Sequence, residues 1–118
     1  MEDLAPDIVR QRLLVEGYYA VEIDELIIRR YFEVLTGALH MRTYGAPTIF
    51  SPRGEGQAQN QGYDAFVPLI DSGISLYVWT GPRFLSVVLF TCKRFDAAQA
   101  VGATRDFFEM SKVAHEEF

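Results

Sequence analysis

In the segment ISLYVW, Ile74, Leu76 and Val78 alternate with Ser75, Tyr77 and Trp79, the period of a strand with one face in a core. Two further apolar runs flank it, YDAFVPLI before and FLSVVLFTC after, separated from it by DSG and TGPR. Both separators are turn chemistry, so the three runs predict an antiparallel meander. Asp71-Ser72-Gly73 reads as the first of these turns, with Gly73 free to take positive φ. Pro68 has no N–H for a ladder, which predicts that its strand lies at an edge or carries a bulge.

Helical spacing governs two other segments. Behind Asp24, a residue suited to capping, Ile28, Tyr31, Phe32, Leu35 and Leu39 fall on one side. Gly37 and the Tyr44-Gly45-Ala46-Pro47 punctuation predict that this helix stops near Arg42. Asp96 heads the second, DAAQAVGATRDFFEMSKV, where Ala97, Ala100, Val101, Phe107, Phe108 and Met110 supply the apolar side. The β-rich stretch from Gly17 to Asp24 predicts a strand ahead of the first helix, and TIFSP a short one after it. Next comes SPRGEGQAQNQG, too polar for a core and longer than an ordinary hairpin connection, so it is either mobile or held against a site. The order strand, helix, four strands, helix predicts an α+β two-layer sandwich, an antiparallel sheet of four to five strands with two helices on one face.

At 118 residues the prediction is one domain, 1–118, and 49% hydrophobic residues are enough for a core. Eleven Lys and Arg against sixteen Asp and Glu give a net charge of −5, the wrong sign for affinity built on phosphate neutralisation, so no nucleic acid is expected. The lone Cys92 cannot form an internal disulfide, and MEDLAPDIVR has neither a basic start nor an apolar run. The longest uncharged stretch, Ser72 to Pro82, is too short to span a bilayer as a helix. A cytoplasmic protein with no membrane segment is expected.

General motifs are missing. There is no Gly-rich phosphate loop, no HExxH and no cysteine pair, and neither His40 nor His115 has metal-ligand spacing, so no metal is expected. His40 reads as a polar tip near a helix C-terminus, and His115 as part of a solvated charged tail. Between Gly62 and Cys92, however, a serine in a tight turn, polar and aromatic side chains on one strand face and a cysteine ending the next strand stand where they can converge. Read alone, the serine belongs to a hairpin turn and Cys92 is a small buried hydrophobe.

The stretch DSGISLYVWTGPRFLSVVLFTC resembles the S-adenosylmethionine decarboxylases of the short bacterial and archaeal class, which read ESHISIHTWPE and then roughly GYAAVDVFTCG there. Ser72, Ile74, Ser75, Trp79 and the ending Phe90-Thr91-Cys92 align without a gap. GYYAVEID looks like the family's first strand and Phe50-Ser51-Pro52 like its strand before the long loop, so the resemblance runs from Gly17 to Val113. It implies a proenzyme that cuts itself before Ser72 and converts that serine to a pyruvoyl group. The pyruvoyl binds the substrate amine and acts as an electron sink for loss of carbon dioxide in polyamine biosynthesis. The resemblance implies catalytic roles for Ser72, Cys92 (as proton donor to the decarboxylated carbon) and Asp71. It implies substrate contacts from Trp79, an aromatic surface for adenine, and from Tyr77, Asp64 and Phe50, the last brought in by the long loop.

Departures from the family pattern cluster at the same place. Asp71 replaces a glutamate, Gly73 a histidine, and Gly81 the acid of WPE that resembles a ribose ligand. The family's processing histidine is Tyr77, and its processing serine aligns with Asp64, both on strands expected to hold them beside the turn. Tyrosine, with a pKa near ~10, is a poor substitute for histidine near ~6.5 in shuttling protons. Two readings follow: a pyruvoyl-dependent decarboxylase of S-adenosylmethionine or a related amino acid, or an unprocessed homologue that binds a ligand or regulates a partner. A chance match by an unrelated α+β binding domain is the third. The uncovered sheet face with Tyr77 and Trp79 predicts a homodimer with its sites near the interface, as the resemblance also implies.

Overall fold

A computed structural model describes residues 1–51 and 61–118. Most of the polar loop expected between the second and third strands lies outside the described residues. The first strand is β1 (Gln11–Tyr18), earlier than the Gly17 start expected from side-chain propensity. Alternation decides its place: Leu13 and Val15 are fully buried, whereas Arg12, Leu14, Glu16 and Tyr18 point the other way. Helix α1 (Glu25–Ala38) begins where Asp24 accepts a hydrogen bond from the Ile27 N–H at 2.9 Å. It buries Ile28, Tyr31, Phe32 and Leu35, and ends before the expected Arg42: Leu39 is its C-cap, and His40 turns to φ 54°. His40 is exposed just past that end, its carbonyl accepting from Lys93 Nζ at 3.1 Å.

Strands β2 (Thr48–Phe50), β3 (Gly62–Leu69), β4 (Ser72–Trp79) and β5 (Phe84–Thr91) form the expected meander. β3 is interior to the sheet, yet Pro68 lies past the three residues that β2 covers, and its carbonyl accepts from the Tyr44 N–H at 2.9 Å. Its missing N–H therefore faces a stretch that no strand needs to bond. Helix α2 (Ala97–Phe108) starts on the Asp96 cap and stops at Glu109, which is left-handed with φ 50°. The chain then enters a sixth strand, β6 (Lys112–Glu117). Val113 was expected in the helix and His115 in a solvated tail; both lie in β6, with His115 exposed. The sheet thus has one strand more than expected, because KVAHEE carries no apolar period that distinguishes an exposed edge strand from a tail.

The strand order is β2-β3-β4-β5-β1-β6 and every neighbouring pair is antiparallel. One face of the sheet joins the helices in a single core, where Tyr31 is fully buried and shares a 2.8 Å hydrogen bond with Thr104. Burial pushes the Tyr31 phenol far above its ordinary value, so it stays protonated. The other face carries Tyr18, Phe50, Phe66, Tyr77 and Phe90, between 39% and 66% exposed. A two-layer α+β sandwich results, with one face of its sheet open among the described residues.

Candidate functional site

The turn between β3 and β4 is Ile70–Asp71, two residues, and not Asp71-Ser72-Gly73. Ser72 is thereby the first residue of β4, opposite both Leu69 and Thr91. It also takes the unusual backbone angle, φ 132°, where positive φ was expected at Gly73. A non-glycine residue there stores roughly 1–3 kcal/mol of strain. Gly73 serves a different end: a Cβ would meet the Phe66 ring at 2.6 Å, so that ring fills the space beside the turn.

Strict alternation from Ile74 would send Ser72 to the helix side and, from Phe90, Cys92 to the open side. The positive φ of Ser72 breaks that pattern, and Ser72 Oγ lies 3.3 Å from Cys92 Sγ. Cys92 is exposed, not a buried hydrophobe. Its backbone N–H donates to the carbonyl oxygen of Asp71 at 2.8 Å. This donor would stabilise negative charge on that oxygen if the carbonyl carbon were attacked. The nearest nucleophile in sequence is Ser72 Oγ, on the far side of the same peptide bond. A hydroxyl, a polarised carbonyl and a thiol therefore meet at one strained bond.

Ser72→Gly is expected to be more stable than Ser72→Ala by about 1 kcal/mol, because both lose the contact to Cys92 and only glycine accepts φ 132° without strain. Urea unfolding of the two variants measures it; equal midpoints would remove the strain from the account.

The remaining predicted residues lie elsewhere. Phe50, Asp64 and Tyr77 are consecutive cross-strand partners, and the row continues through Ser86 to Glu16. With Thr48, Phe66 and Ser75 the first three line a shallow hollow of about 200 Å³ on the open face. Tyr77 and Asp64 were expected beside the turn, but β4 runs directly away from it. Five residues at ~3.3 Å each put Tyr77 roughly 16 Å from Ser72, and Asp64, its partner, equally far. Trp79 is two residues further, its ring 5.6 Å from that of Phe84. Its carbonyl accepts from the Tyr19 hydroxyl at 3.4 Å; burial holds that phenol above its ordinary value, so it remains a donor.

Sequence reasoning missed three members of the open face. Ser86 donates to Glu16 Oε2 at 2.7 Å, continuing the polar row across an otherwise aromatic surface. The outward position of Ser86 was readable from alternation in FLSVVLFTC, whereas Glu16 precedes the strand start expected at Gly17, and their pairing required the register. Phe66 was likewise readable as outward, but not as the ring over Gly73. Among the described residues no group of three or more His, Cys, Asp or Glu stands close enough to hold a metal ion. No helix among them is long and apolar enough to cross a membrane.

No protein-family model matches the sequence, and no curated protein matches it. Among solved structures, the crystal structure of the adenosylmethionine decarboxylase from Aquifex aeolicus vf5 is similar, with a TM-score of 0.69 at 19% identity. The match covers 94% of this chain and 89% of that one. At this identity the likeness is one of fold, and it extends over most of both chains.

Proposed function

We propose that this chain is an S-adenosylmethionine decarboxylase-like protein that cuts itself at Asp71–Ser72 and decarboxylates S-adenosylmethionine or a related amino acid in polyamine biosynthesis. The observation that carries this reading is the Cys92 N–H on the Asp71 carbonyl at 2.8 Å, at a bond whose serine is held at φ 132°. Attack by Ser72 Oγ on the Asp71 carbonyl carbon forms a C–O bond as the C–N bond breaks. The hydroxyl proton passes to the departing amide nitrogen, and the Cys92 N–H holds the charge that develops on oxygen. Loss of the Ser72 Cα proton then expels the Asp71 carboxylate from this ester, which cuts the chain. Water converts the dehydroalanine left at residue 72 to a pyruvoyl group as ammonia leaves, and that group would supply the electron sink for decarboxylation. The Cys92 thiol would donate a proton to the decarboxylated carbon, a role supported by its 3.3 Å contact with Ser72 Oγ and its exposure to solvent.

A second copy completes the site. Tyr77, Asp64, Phe50 and Trp79 are too far along the sheet to reach their own Ser72, and they lie on an aromatic face with nothing over it among the described residues. In a face-to-face homodimer these residues serve the partner's cleavage end. The substrate is a small molecule, and the compartment proposed is the cytoplasm.

A second reading, the unprocessed ligand-binding or partner-regulating homologue, is favoured by one contact: the Phe66 ring occupies the space beside Gly73, where the resembled family has a histidine. Mass spectrometry of the purified chain separates the two. Pieces of 71 and 47 residues from these 118, the second with a modified Ser72 terminus, support the enzyme. An intact chain after prolonged incubation supports the homologue.

A further inference from the structure

Strand β6 forms one rim of the sheet, bonded to β1 and, among the described residues, to nothing on its other side. The Phe118 N–H donates to the Arg12 carbonyl at 3.2 Å, which fixes the phase of the ladder. Since antiparallel pairs alternate, Lys112, Ala114 and Glu116 also turn their main chain toward β1, and Val113, His115 and Glu117 turn theirs outward. The opposite rim, β2, has only three residues, so β6 is the longer unsatisfied edge. Such an edge is a template for another strand, and neither a proline nor a bulge interrupts this one.

We propose that a second copy of this chain extends the sheet at β6, antiparallel, about a two-fold axis at Ala114. In self-pairing, residues opposite each other must both face the neighbour or both face away, so only registers centred on a residue are possible. Centred on Ala114, each Lys112 stands opposite the partner's Glu116, giving two ion pairs. Val113 exchanges main-chain bonds with the partner's His115, and the two Ala114 residues face each other at the close, non-bonded position, where a methyl group fits. Centred on His115, Lys112 would face the partner's Phe118 and no ion pair would form. Charge thus selects one register.

This pairing uses the rim of the sheet and not its open face, so it stands whether or not the active-site reading holds. If face-to-face pairing also occurs, about an axis that meets this one at a right angle, the particle closes at four chains. Sedimentation of the full chain and three variants tests it. Lys112→Glu and Glu116→Lys, taken singly, set like charges opposite each other and should each weaken one two-fold association about tenfold or more. The double variant K112E/E116K restores opposite charges and should recover the mass. Oxidative cross-linking then fixes the register. On a Cys92→Ser background, Ala114→Cys should link to its own copy, since Cα atoms at such a position stand ~4.5 Å apart. Val113→Cys should link at most a tenth as fast. Mass unmoved by either charge reversal, a double variant no better than the singles, or cross-linking as fast at 113 as at 114 would each overturn the proposal.

Discussion

Tyr77→His combined with Asp64→Ser is expected to make the chain cut between Asp71 and Ser72, or to cut faster where it already does. The pair restores the imidazole and the hydroxyl that the resembled family uses for processing. An imidazole with a pKa near ~6.5 exchanges protons at neutral pH far more readily than a phenol near ~10. The two positions are direct cross-strand partners, so the new groups stand side by side. Because both lie roughly 16 Å from their own Ser72 along β4, the proposed face-to-face pairing would carry their help to the partner copy. Cleavage should therefore slow on dilution to concentrations where copies separate. Stability should change little, since Tyr77 is 39% exposed and Asp64 is exposed. A denaturing gel followed over days decides the matter. A variant that is folded by circular dichroism, associated, and still intact would remove these two side chains from the machinery.

Gly17→Ala should cost about 3 kcal/mol, a large share of the ~5–15 kcal/mol that holds such a domain folded. A Cβ built at Gly17 falls 1.9 Å from the Lys112 carbonyl oxygen, a backbone atom of β6. No rotamer change relieves that contact, so β6 must move away from β1 or the strand must deform. Gly37→Ala is the matched control: the residue is in the last turn of α1, with nothing within 4 Å of the added methyl. It should stabilise by roughly 0.5–1 kcal/mol, the ordinary gain of alanine over glycine in a helix. Urea unfolding of both variants gives the comparison. A Gly17→Ala midpoint equal to that of the parent chain would mean that β6 is not anchored where it is described.

What could be read from sequence was whatever local chemistry decides. Asp24 and Asp96 announced both helix starts because a capping carboxylate ahead of an apolar period has few other uses. Ile74, Leu76 and Val78 announced the buried face of β4 in the same way. Register is not local, and the errors at the turn trace to it. The turn was placed one residue late because DSG has better turn chemistry than Ile70–Asp71, while the pairing of Leu69 with Ser72 forces the shorter turn. That shift moved the positive φ from a glycine to the serine. It also left unforeseen the Cys92 N–H on the Asp71 carbonyl, which depends on the pairing of β4 with β5. Asp64 and Tyr77 were correctly read as neighbours of one strand pair, but the distance along β4 was overlooked.

Strand order has one more consequence, for what a cut at Asp71 would produce. The leading piece would hold β1, β2 and β3, and the trailing piece β4, β5 and β6. In the sheet these do not separate into halves: β1 is wedged between β5 and β6, so the pieces interlock along three of the five seams. Neither piece owns a continuous sheet, and neither has the means to fold alone. Scission must then follow folding, and a nicked molecule keeps the size, shape and sheet content of the intact one. Size exclusion and circular dichroism would be blind to the event, and only denaturation would let the halves part.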